Sequence, residues 1–117
     1  MRHQVRKTKL KPHKGHQLAL IRNLTMALII YEKIKTTEAK ARAVKPFIER
    51  LITIAKRNEK REAIRQIDSL LQHKNSSRKI FEVLIERYKD KNSGYLRSTK
   101  LGYRNGDNAP VVQLELI

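Results

Sequence analysis

No acidic residue occurs before Glu32, while the same stretch holds seven cations: Arg2, Arg6, Lys7, Lys9, Lys11, Lys14 and Arg22. A segment of one sign gains nothing by folding on itself, because compaction brings like charges together. Its fate therefore depends on how much apolar surface it carries. Residues 1–15 place single apolar residues between cations, with Pro12 and Gly15 as breakers, so no apolar face forms. They are expected to be an extended basic arm, disordered when free. From His16 to about Tyr31 the balance reverses. Leu18, Ile21, Leu24, Thr25 and Leu28 recur at helical spacing, and Leu20, Ala27, Ile29 and Ile30 extend the apolar surface almost all round. That pattern predicts a central, well-covered helix.

The remaining chain, residues 16–117, reads as one domain. Alternation around Glu32-Lys33-Ile34-Lys35 predicts a short strand ending at Thr36-Thr37. Thr37 is placed to cap the next helix with its hydroxyl, and Glu38 suits the positive end of that helix. Val44, Phe47, Ile48, Leu51, Ile54 and Ala55 form its inner stripe, and Pro46 within it is expected to kink the helix or split off the segment before it. A third helix over about Glu59 to Leu71 buries Ala63, Ile64, Ile67, Leu70 and Leu71. A fourth, capped by Ser76 or Ser77, buries Ile80, Phe81, Leu84, Ile85 and Tyr88. Two alternating runs, Tyr95 to Arg104 and Val111 to Ile117, flank the turn-rich Asn105-Gly106-Asp107-Asn108-Ala109-Pro110 and predict a β-hairpin. An isolated hairpin is marginal, so it is expected to pair with the strand near Ile34. The fold class is α+β, in the order α-β-α-α-α-β-β, with helices packed on a small sheet.

The net charge of +16 over 117 residues makes sense opposite a polyanion. Cysteine is absent, which removes disulfides, thiolate zinc sites and cysteine nucleophiles. His13 and His16 are too few to hold a metal between lysines. No nucleophile–base spacing stands out, the paired glutamates of the helices lie beside basic residues, and the glycines near Tyr103 have no phosphate-loop spacing. No catalytic site, cofactor, metal or small-molecule substrate is expected. The apolar run after the basic start is interrupted by Arg22 and Asn23 and lacks a small-residue cleavage site, so it is not a signal peptide. No stretch is long enough to span a bilayer, and a cytoplasmic location without membrane contact is expected.

The candidate contacts to nucleic acid begin with the arm: Arg2, His3, Arg6, Lys7, Lys9, Lys11, His13, Lys14 and His16, with Arg22 following. Each phosphate met by such cations releases counterions. Lys33, Lys35, Thr36, Thr37 and Lys40 surround a helix start whose free N–H groups suit an anion. Arg97, Lys100 and Arg104 sit on the hairpin, where alternate strand positions present cations on a sheet face. Trp is absent and aromatics make up only 5% of residues, so shape and backbone are the expected basis of recognition rather than base stacking. The readings set against RNA binding are a duplex-DNA binder, a small enzyme using His3, His13, His16 or Asp107, and a protein of anionic membrane surfaces.

Several segments then fall into one pattern. They are Met1-Arg2-His3, Arg22-Asn23-Leu24, Glu32-Lys33-Ile34-Lys35-Thr36-Thr37 with Ala39-Lys40-Ala41, and Leu51-Ile52-Thr53-Ile54-Ala55-Lys56. Gly94-Tyr95-Leu96-Arg97, Lys100-Leu101-Gly102 and Gly106-Asp107-Asn108-Ala109-Pro110 complete it. Together they resemble the bacterial-type large-subunit ribosomal proteins of family seventeen, from Met1 to the last strand. The resemblance implies the same α-β-α-α-α-β-β order and a non-enzymatic role. It implies binding to large-subunit ribosomal RNA near the outer end of the nascent-chain exit tunnel, beside neighbouring large-subunit proteins. A match that starts at Met1 also speaks against a cleaved leader. Two departures stand out: His16-Gln17 replaces the usual His-Arg pair, and Ser93-Gly94 replaces a double glycine.

Overall fold

The computed structural model describes residues 14–117, so most of the expected arm, Met1 to His13, lies outside the described residues. Helix α1 spans Lys14–Tyr31, beginning two residues ahead of the expected His16. Its second half is covered as expected: Leu28 and Ile29 are buried, and the buried Thr25 hydroxyl donates to the Ile21 carbonyl at 2.7 Å. Its first half is not, and Leu18 is 43% exposed. The boundary is Arg22, whose Nε donates to the Leu70 carbonyl at 2.8 Å. N-terminal to that bond the helix carries exposed Leu18 and Ala19.

Glu32 ends α1 in the left-handed region, at φ 65°, and its N–H donates to the Leu28 carbonyl at 2.7 Å. A non-glycine residue there is strained. Its carboxylate compensates by accepting from Arg87 at 2.8 Å and lying 3.0 Å from the Lys79 ammonium. Those two partners, Arg87 first, hold its pKa down at about 2 against the opposing effect of burial. The reversal at Glu32 sends the chain into strand β1, Lys33–Thr37.

Helix α2, Glu38–Arg57, runs through Pro46 without a break. Pro46 is exposed. The carbonyl it leaves unbonded, that of Arg42, therefore lies on the side where water can replace the lost donor, and the expected split into two segments does not occur. Thr37 takes the capping position in extended geometry, but its hydroxyl makes no capping bond, contrary to expectation. Ala41, Val44, Ile48, Leu51, Ile52 and Ala55 are buried, so Ile52 joins the core, while Phe47 and Ile54 pack only partly against it.

Helix α3, Lys60–Leu71, buries Ala63, Ile67 and Leu71 and leaves Ile64 37% exposed, outside the expected stripe. Gln72, left-handed at φ 56°, ends it. Helix α4 has three segments: α-helical Lys74–Lys79, a π-helical turn Ile80–Leu84, and a last α turn Ile85–Arg87. Its cap is His73, not Ser76 or Ser77. The His73 ring nitrogen Nδ1 accepts from the Ser76 N–H at 3.2 Å, and both serines are buried in the first turn. The π turn explains the buried stripe Ile80, Leu84 and Tyr88. Eight residues of α-helix would rotate Tyr88 about 80° away from Ile80, and the wider turn takes that rotation back. Phe81 and Ile85, expected inside, are half-buried.

The hairpin strands are β2, Leu96–Tyr103, and β3, Pro110–Leu116. The sheet order is β1-β3-β2, antiparallel throughout, so the expected pairing with the strand near Ile34 is present. Val112, Leu114 and Leu116 of the central strand are buried beneath the helices. Leu101 forms a bulge before Gly102, whose φ of 122° excludes most side chains.

Candidate nucleic-acid interface

Strand register decides where the expected cations go. With β3 central, Lys33 lies opposite Glu115, which lies opposite Arg97; Lys35 lies opposite Gln113, which lies opposite Thr99. Successive side chains of a strand alternate between faces. Lys33, Lys35, Arg97, Thr99, Gln113 and Glu115 therefore share the face turned away from buried Val112 and Leu114. Lys33, Lys35, Arg97 and Thr99 are exposed. Three cations from the two edge strands thus frame a single carboxylate, with the edges about 9–10 Å apart, two strand spacings. Glu115 reaches both sides, at 3.9 Å from Lys33 and 3.8 Å from Arg97.

Thr36 and Lys100 fall on the opposite face, in one row through Val112. There the sheet and α2 enclose an open groove of about 190 Å³ lined by Glu38, Ala41, Arg42, Lys45, Ser98 and Leu114. Arg42 donates to Glu38 at 2.8 Å, so the acid nearest the helix start is already paired. Lys40 is half-buried on the first turn of α2, beside Thr37. The hairpin cations therefore do not share one surface: Arg97 faces the uncovered side and Lys100 the helix side.

Two other expected RNA-binding cations are engaged within the protein. Arg22 spans α1 and the end of α3, donating to the Leu70 carbonyl and, at 3.4 Å, to Gln72 Oε1. Arg104 donates to Asp107 inside the hairpin turn, at 3.0 Å through Nε and through a second, shorter bond. Arg104 first, then the Ala109 N–H, lower the Asp107 pKa to about 2. His16 is exposed near the start of α1. Arg2, His3, Arg6, Lys7, Lys9, Lys11 and His13 lie outside the described residues. Arg42 and Lys45, missed in the sequence, join the helix-side surface. Their spacing of four and seven residues from Glu38 puts them on one helical face, but a mixed charge run reads as ordinary solvated surface.

The arrangement presents exposed cations from two edge strands to any anion that meets this face. Among the described residues no three His, Cys, Asp or Glu side chains gather to hold a metal. No described helix is long and apolar enough to cross a membrane.

Comparison with known proteins agrees along the chain. The family model described as ribosomal protein L17 matches residues 20–117. The chain is 45% identical over 117 residues to the large ribosomal subunit protein bL17 of Zymomonas mobilis, covering 100% of this chain and 83% of that one. It is 40% identical to the protein of the same name from Allorhizobium ampelinum, covering 100% and 82%. It is likewise 40% identical to that of Rickettsia bellii, again covering 100% and 82%.

Proposed function

The chain belongs to the ribosomal protein L17 family, a large-subunit ribosomal protein of the cytoplasmic translation machinery, and from that premise we propose that it binds large-subunit ribosomal RNA near the nascent-chain exit tunnel. In this reading it is a structural constituent and not an enzyme. Residues 16–117 form a rigid RNA-binding domain, and the basic segment before it serves as an arm. The observation that carries the reading is the uncovered sheet face, where Lys33, Lys35 and Arg97 stand exposed around one carboxylate. Phosphates are its natural partners, because displaced counterions supply the driving force. Lys100, Arg42 and Lys45 provide a second contact zone on the helix side, with Thr36 in the row of Lys100; Thr37 and Lys40 lie at the junction of β1 and α2. His16 and the arm cations Arg2, His3, Arg6, Lys7, Lys9, Lys11, His13 and Lys14 add a third. Neighbouring large-subunit proteins meet what the RNA leaves uncovered.

The test is sedimentation of a tagged full chain from cells through a sucrose gradient, followed by chemical crosslinking of the heavy fraction. The expected result is co-migration with the large subunit and RNA crosslinks at Lys33, Lys35 or Arg97. A chain that stays at the top of the gradient, or crosslinks to RNA nowhere on these surfaces, refutes the proposal.

A further inference from the structure

The middle of the uncovered sheet face holds a carboxylate where a phosphate-binding surface would be expected to hold none. Glu115 Oε2 lies 3.9 Å from Lys33 Nζ, and Oε1 lies 3.8 Å from Arg97 Nη1, so each oxygen serves one edge strand. The Glu115 side chain is 22% exposed, whereas those of Lys33 and Arg97 are 60% and 62% exposed. The cations therefore stand outward and the acid lies sheltered between them. Pairs this long and this exposed are weak, so either cation is free to turn to a phosphate. The next row, Lys35–Gln113–Thr99, carries no second acid.

A phosphate over β3 would meet the Glu115 charge at closest range. One over β1 or β2 meets a cation first. We infer that Glu115 determines which RNA this face accepts: it keeps a single phosphate chain off the midline and favours two chains, one along each edge strand. Two facing phosphate chains close together are what the narrow major groove of an A-form duplex presents. The inference rests on the RNA-binding reading above and adds to it the class of RNA.

Full-length protein and its E115Q variant are compared for binding to an RNA hairpin stem and to an unstructured strand with the same number of phosphates, at matched salt. E115Q is expected to bind both more tightly and to gain more on the single strand. Its duplex-to-single-strand affinity ratio should fall roughly two- to fivefold, the worth of one exposed charge interaction. K33Q and R97Q each remove one edge cation and should weaken duplex binding more than single-strand binding; they carry the test alone if thermal melting shows E115Q unfolded. An unchanged or increased ratio in E115Q, or equal losses on both RNAs in K33Q and R97Q, overturns the inference while leaving the RNA-binding reading in place. Wild-type protein that binds neither RNA at low salt overturns both.

Discussion

Tyr88 has a buried ring that packs against Tyr95 at 4.9 Å between centroids, and its hydroxyl has no hydrogen bond among the described residues. The Arg87 guanidinium lies over the ring, 6.0 Å from its centroid. Burial pushes the Tyr88 hydroxyl pKa up, with the Arg87 guanidinium acting the other way. An unpaired buried hydroxyl is a cost, so Tyr88→Phe should be neutral or stabilising by up to about 1 kcal/mol. Tyr88→Ala, which empties the site, should cost about 3–5 kcal/mol. Urea unfolding of both variants checks the contrast. Glu32 ties the same end of α4 to the α1–β1 reversal through Arg87 and Lys79. Its folded pKa of about 2 lies below the ordinary 4.5. The unfolded chain therefore binds the proton first on acidification, and the stability this residue contributes is full above about 4.5 and lost as pH falls toward about 2. Asp107, also held at about 2, loses its contribution over nearly the same window. Stability measured against pH should fall less steeply below 4.5 in Glu32→Gln than in the wild type, with Asp107→Asn removing a separate part of the slope.

At the scale of elements, the ends of helices separate what neighbours along the chain determine from what the fold determines. His73 caps α4 through a ring nitrogen, so His73→Ala should cost about 1 kcal/mol and His73→Ser, a better-known cap, should recover most of it. Guanidinium melts of the two variants test this. Serine or threonine is the usual sequence mark of a cap, and Ser76 and Ser77 carry that mark falsely because they are buried in the turn that His73 begins. The strands are more legible. Val112, Leu114 and Leu116 alternate with Val111, Gln113 and Glu115, and the Gly106-Asp107-Asn108 turn is local chemistry, so hairpin and sheet follow from neighbours in the chain. Ile64 and Ile67 look alike in sequence, and only helix packing leaves the first exposed and the second buried. The π turn in α4 has no local sign beyond a stripe of three residues four apart. For the candidate site, the identity of the cations is readable but their grouping is not. Alternation along β2 already separates Lys100 from Arg97, but only the register brings Lys33 of β1 and Arg97 of β2 to either side of Glu115, and only packing gives Arg22 its partner in Leu70, 48 residues away.

For the whole molecule, the decisive relation is between the arm and the sheet. Helix α1 has 18 residues and is about 27 Å long, so the arm joins the domain about that far from Lys33, at the other end of the helix. The continuous helix sets that separation, and Arg22, engaged with Leu70 and Gln72, ties its middle to the end of α3. On the proposed reading, the basic segment before α1 and the sheet face are separate anchors on one large anion, and the effects of removing them should add, as they do for sites without shared partners. Deleting residues 2–13 leaves Lys14 and all of α1 in place, so the thermal unfolding midpoint should be unchanged. It removes five Lys and Arg. The slope of log affinity against log salt on ribosomal RNA should become shallower by up to about four, at roughly 0.7–0.9 for each phosphate no longer neutralised. Replacing Lys33, Lys35 and Arg97 together should take a further two to three, roughly, from the slope by the same count, with or without the arm. If instead the sheet substitutions have no effect once the arm is gone, the two zones do not bind independently, and α1 does not serve as a spacer between them.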